Sequence, residues 1–77
     1  MIDEEAKYEM KNEVGDRIKT LRKEQDLTQS RFALMTGINR SYLADIEMGN
    51  RNFGIDTLTK IVKGFGLTFE EFFRGVK

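Results

Sequence analysis

Residues 29–48 read QSRFALMTGINRSYLADIEM. Counted from Gln29, apolar or small residues stand at positions four (Phe32), five (Ala33), ten (Ile38), fifteen (Leu43) and eighteen (Ile46), with glycine at nine (Gly37). Each type has a steric task. Ala33 is small because two helices cross closely there. Gly37 supplies the left-handed residue on which a chain leaves a short helix, a conformation glycine takes at little cost. The other apolar side chains fill the wedge between the helices. Thr28 is placed to cap a helix starting at Gln29, and Asn39 to cap a second one running to about Met48, with Gly49 as its stop. The spacing predicts two short helices crossing roughly at right angles. The outer face of the second stays polar, because Asn39, Arg40, Ser41, Ala44 and Asp45 are not needed for the core.

Outward from this unit the same reading finds three more helices. Val14, Ile18 and Leu21 recur at spacings of four and three and form one stripe of a helix from about Asn12 to Gln25. After a polar connection at residues 50–54, Ile55, Leu58, Ile61, Val62 and Phe65 give the stripe of a fourth helix, with Asp56 or Thr57 near its start. Thr68 and Glu71 match a capping box, and Phe69, Phe72 and Phe73 belong to a fifth helix. Residues 1–12 are acidic with scattered apolar positions and read either as an arm or as a helical extension. Residues 13–77 form the one domain expected, and the fold class is all-α with five helices.

Composition bounds the chemistry. There is no cysteine and no histidine, so disulfides and the usual zinc-ligand clusters are not expected. Neither is a glycine-rich phosphate loop or an evident pair of catalytic carboxylates, so neither an enzyme nor a cofactor, metal or small-molecule site is expected. No run of about 18 apolar residues is present, and the acidic start lacks the apolar stretch of a signal peptide, so a cytoplasmic protein without a membrane partner is expected. The formal net charge is zero, from 13 basic and 13 acidic residues, which argues superficially against a polyanionic partner. The average hides an asymmetry: residues 1–13 sum to minus three and the rest to plus three, with Arg31, Arg40 and Arg51 in or just beyond the bihelical unit.

The pattern T-Q-x-x-F-A-x-x-T-G-I-x-x-S-Y-L-x-x-I-E-x-G, from Thr28 to Gly49 and followed by Thr57-Leu58, resembles the Cro/repressor (XRE-type) helix-turn-helix regulators, a lambda-repressor-like fold, over about residues 14–73. The Arg51-Asn52 pair and the terminal Glu71-Phe72-Phe73 are similar to small restriction-modification controller proteins and to stand-alone phage-type repressors. The resemblance implies a sequence-specific DNA-binding transcriptional regulator. It implies that Asn39, Arg40, Ser41 and Asp45 read base edges in a major groove, Arg40 being best suited to guanine. Asp45 either accepts from cytosine, discriminates against wrong bases or pairs with Arg40. Thr28, Gln29, Tyr42, Arg51 and Asn52 are implied as phosphate contacts, helped by the anion-attracting helix start at Gln29, which also braces the start of the recognition helix. Arg51 could instead reach a base. Arg22 and Glu47 are implied as a structural ion pair tying helix one to the end of helix three. Phe53 and Gly54 depart from the family pattern, as do the methionines Met35 and Met48.

One recognition helix reads only a few base pairs, so such regulators usually bind near-palindromic duplex operators as homodimers. Phe69, Phe72, Phe73 and Val76 place more apolar area in eight residues than one short helix hides, and form the expected dimer interface. The competing reading is a protein-interaction or antitoxin-like module that keeps the fold and uses its polar face for another surface.

Overall fold

The first helix runs far longer than its stripe of apolar residues. In the computed structural model, which describes the backbone of residues 4–76 and side chains from Met10 to Val76, α1 spans Glu4–Glu24. Of residues 1–12, open between an arm and an extension, 4–12 are the beginning of α1, and 1–3 lie outside the described residues. Four helices follow: α2 Gln29–Thr36, α3 Arg40–Glu47, α4 Ile55–Gly64 and α5 Phe69–Arg74. No strand occurs among the described residues.

Local chemistry sets most of these boundaries. Thr28 caps α2, its hydroxyl accepting from the Arg31 N–H at 3.0 Å, and Asn39 caps α3 by accepting from the Tyr42 N–H at 3.2 Å. Each satisfies one of the donors a helix start leaves without a partner. Gly37 ends α2 at φ +75°, its N–H bonded to the Ala33 carbonyl. At α5 the Thr68 oxygen accepts from the Glu71 N–H while the Glu71 carboxylate accepts from the Thr68 N–H, a complete capping box. α4 differs from expectation. Its cap is Gly54, which makes no side-chain cap bond, and Ile55, read as the first residue of its buried stripe, is 67% exposed. Ile55 shares a helix face with Leu58 and Val62, but at the first helical position it lies ahead of the turn that packs on the core and so stays in solvent.

The core draws on every helix: Val14, Ile18 and Leu21 from α1, Phe32 and Ala33 from α2, Leu43 and Ile46 from α3, Leu58, Ile61 and Val62 from α4, and Phe72 from α5. Phe32 and Phe65 stack with ring centroids 4.2 Å apart, a geometry worth about 0.5–1.5 kcal/mol beyond burial. Phe72, expected at a dimer interface, is fully buried. Its ring completes the chain's own core, and this corrects the interface set.

α1 crosses the end of α3 at Gly15. A Cβ there would lie 2.5 Å from the Ile46 carbonyl oxygen and 2.8 Å from that of Glu47, so the two backbones approach as only glycine allows. Glycine inside a helix costs roughly 1 kcal/mol relative to alanine; the crossing explains its presence. α5 is tied to α1 by Arg17, whose Nε donates to the Phe72 carbonyl at 2.8 Å and whose NH2 donates to that of Glu71 at 3.1 Å.

Candidate nucleic-acid interface

The bihelical unit is held by one carboxylate. Glu47, the last residue of α3, has a fully buried side chain. Arg22 of α1 donates from Nε to Glu47 Oε2 at 2.8 Å and from NH2 to Oε1 at 3.0 Å, and its NH1 donates to the Leu27 carbonyl at 2.7 Å in the α1–α2 connection. The hydrogen bond to Glu47 is the main cause holding the Arg22 pKa above its ordinary value; burial acts against it and the Glu47 charge adds to it. Planar guanidinium and carboxylate match in this forked geometry, which gives direction as well as energy. No buried side-chain nitrogen or oxygen among the described residues lacks a partner.

Gln29 joins the same node. Its amide donates to Glu47 Oε1 at 3.1 Å, so three helices meet on one buried carboxylate. The expected brace therefore lies at the opposite end of α3: Gln29 holds the last residue of that helix, not its start. The physical reason is the crossing of α2 over α3, which sets the first residue of one helix beside the last residue of the other.

On α3, Leu43, Ile46 and Glu47 face inward. Arg40 and Ser41 are exposed, Ala44 and Asp45 are half-exposed, and Met48 follows on the same side with 62% exposure. Arg40 and Ser41 make no side-chain hydrogen bond or ion pair among the described residues, whereas Asn39 commits its Oδ1 to the helix cap. Asp45 meets a cation other than Arg40. Arg51 NH1 lies 3.5 Å from Asp45 Oδ2, because the chain reverses at Gly49 (φ +76°) and brings the following loop back along α3.

That loop is organised on Tyr42. The Arg51 guanidinium sits 5.0 Å from the Tyr42 ring centroid, and the Tyr42 hydroxyl donates to the Asn52 carbonyl at 3.1 Å. Tyr42 was expected to contact phosphate through this hydroxyl; in the free chain its proton is committed to the loop. The Asn52 side chain is exposed. Thr28, at the start of α2, is exposed as well and keeps a hydroxyl proton to donate, since its oxygen accepts in the cap. Thr28 and Gln29 stand at the start of α2, Asn39 to Asp45 at the start of and along α3, and Arg51 and Asn52 on the loop after it, where contacts join Asp45, Tyr42, Arg51 and Asn52. Phe69, Phe73 and Val76 stand on and after α5.

Two residues essential to this placement escaped the sequence reading. Gly15, within an otherwise good helix, is itself a signal of close backbone approach. Arg17 gave no signal, being one cation among several on a solvated face.

Comparison with known proteins agrees with this geometry. The HTH_3 helix-turn-helix family matches residues 18–72. The control protein C.MunI of Mycoplasma sp is 39% identical over 70 residues, covering 90% of this chain and 95% of its own. The immunity repressor protein of Bacillus phage phi105 is 44% identical over 54 residues, covering 70% of this chain but only 38% of its own. Among solved structures, the restriction-modification controller protein C.Esp1396I, crystallised as a tetramer with its natural 35 base-pair operator, superposes with a TM-score of 0.81 at 32% identity, covering 86% of this chain and 87% of its own. The chain, with its five helices and its motif at α2 and α3, belongs to the HTH_3 (XRE-type) helix-turn-helix family.

Proposed function

We propose that the chain is a sequence-specific transcriptional regulator that binds a near-palindromic double-stranded operator as a homodimer and acts in the cytoplasm. The observation that carries the reading is the division of α3. Its inner side is locked by Leu43, Ile46 and the Glu47 node, while Arg40 and Ser41 stand exposed without side-chain partners among the described residues. A rigid helix with a free polar face is what major-groove readout requires. The likeness to a controller protein crystallised on its operator supports it.

In this reading Arg40 makes the bidentate contact to a guanine, and Ser41 and the Asn39 amide nitrogen supplement it. Thr28, the second amide hydrogen of Gln29 and the free N–H groups of the first turn of α2 hold a backbone phosphate. Asn52 and Arg51 reach the backbone from the loop, and the Tyr42 hydroxyl keeps that loop in shape. The second copy covers the apolar floor of a groove, formed by Met10, Val14, Phe53, Leu58 and Phe73; Lys11 and Asn52 also line it, so Asn52 stands where the dimer and DNA surfaces meet, with Ile55 and Phe69 exposed on the same two final helices.

The test is selection of bound sequences from random duplexes, with a salt series, for the wild-type chain and Arg40→Ala. The wild type is expected to enrich an inverted repeat and to lose affinity steeply with salt, since phosphate contacts release counterions. Arg40→Ala relaxes preference at one base pair per half-site, by about 1–3 kcal/mol of discrimination. A chain that enriches no sequence and is indifferent to salt sinks the reading in favour of a protein partner.

A further inference from the structure

The strongest unexplained feature is an acidic residue on a face meant for a polyanion. Asp45 shares the outer side of α3 with Arg40 and Ser41, and a carboxylate there repels phosphates. Its observed partner is Arg51, at 3.5 Å, with the two side chains 42% and 57% exposed respectively. The same guanidinium lies on the Tyr42 ring, 5.0 Å from its centroid, and the Tyr42 hydroxyl holds the carbonyl of the next residue, Asn52. Arg51 is thus gripped on two sides, by a charge and by a ring face, on a loop whose backbone is itself anchored.

The geometry points to Asp45 as a latch on Arg51, which keeps this loop cation from binding DNA until α3 is seated on its proper sequence. This rests on the operator-binding reading and deepens it by assigning Asp45 a specificity-setting role that is not base contact. While latched, the Asp45–Arg51 side of the interface is electrically neutral. A passing stretch of DNA then gains little from Arg51, and non-specific affinity, which is almost wholly phosphate electrostatics, is held down. When Arg40 and Ser41 find their base edges, a phosphate or a guanine edge is brought alongside, and Arg51 exchanges the carboxylate for it.

The exchange is feasible because the grip is weak. An exposed pair at this separation contributes little in water and is screened by salt, and the ring contact is of the same modest size. A regulator competing against a large excess of wrong sites gains from suppressing non-specific binding as much as from tightening the specific complex, because occupancy depends on the ratio.

The experiment is a cycle of Asp45→Asn, Arg51→Ala and the double variant, measured against operator and random duplexes over a salt series, with the free chain followed by proton magnetic resonance. Asp45→Asn is expected to raise affinity for random DNA by roughly two- to fivefold, the range a surface ion pair spans. Its salt dependence steepens by about 0.9, one added phosphate contact, and its ratio of operator to random affinity falls. In the Arg51→Ala background the same substitution changes random-DNA affinity little. In the free wild-type chain the Arg51 δ-methylene protons are shifted upfield by the Tyr42 ring and move back in Asp45→Asn. Two results on DNA overturn the latch: an equal gain with and without Arg51, which is plain repulsion, or a preference lost at one base pair regardless of Arg51, which is direct readout. Unshifted Arg51 protons in the wild type overturn it whatever the chain does on DNA. Equal wild-type affinity for operator and random duplexes is the separate failure of the operator reading.

Discussion

Asp26 is the one non-glycine residue at positive φ among the described residues, at +56°. It stands two residues past the end of α1, where the Leu27 N–H reaches back to the Arg22 carbonyl at 2.9 Å, the position that usually takes glycine. Its charge is also on the wrong end of the helix, since a carboxylate opposes the negative C-terminal pole. Asp26→Gly is expected to stabilise the fold by about 1 kcal/mol, less the entropy glycine adds to the unfolded chain. Since a full 1 kcal/mol moves the midpoint of a domain of this size by roughly 4–8 °C, the net rise expected is a smaller one, of a few degrees at most. Asp26→Asn, which tolerates the conformation and removes only the charge, isolates the electrostatic part. A lower midpoint for Asp26→Asn as well as for Asp26→Gly would show that the carboxylate makes a stabilising contact that outweighs both costs.

At the scale of the element, α5 shows how a six-residue helix is made to persist. A helix of 6 residues is far too short to form alone. It is held by a capping box at one end, by Arg17 on the Glu71 and Phe72 carbonyls towards the other, and by the Phe72 ring in the core. The Thr68 N–H, and after it the Thr68 hydroxyl, hold the Glu71 carboxyl below its usual pKa, with desolvation opposing and Arg74 assisting. Between the folded and unfolded values the folded chain binds fewer protons, so this contribution to stability rises with pH. It is fully present above the ordinary value of 4.5 and is lost as pH falls through the depressed folded value. Thermal unfolding of Glu71→Gln across pH 2–5 is expected to lack this component and to fall less on acidification than the wild type. Equal acid sensitivity in both proteins would place the titration elsewhere.

For the whole molecule, two adjacent phenylalanines differ sharply in burial. Phe72 is fully buried and Phe73 is 41% exposed, their rings meeting edge to face at 5.1 Å. Phe72→Ala removes a core ring and is expected to cost about 3–5 kcal/mol, a large part of the total stability of a small domain. Phe73→Asp is expected to leave the helical content intact and to abolish self-association. The wild-type unfolding midpoint should then rise with protein concentration, as mass action requires for a dimer, and that of Phe73→Asp should not. Sedimentation equilibrium on both chains checks this directly. A wild type that stays monomeric at micromolar concentration removes the second copy from the apolar groove.

Whatever depends on neighbours along the chain was legible in the order of residues. The caps at Thr28, Asn39 and Thr68, the left-handed turn at Gly37, the inward residues of α2 and α3, and through them the family, follow from spacing and local hydrogen bonding. These act over three or four residues and leave a periodic trace. The tertiary structure alone decided which partner each polar side chain takes. Gln29 lies beside Glu47 because two helices cross, and Asp45 pairs with Arg51 because a loop doubles back. Arg17 reaches α5, 55 residues away, only because the core closes over Phe72. The same closure decided that Phe72 turns inward while Ile55 and Phe73 turn outward: all are apolar, and a stripe states how residues are spaced around a helix but not where the rest of the molecule ends.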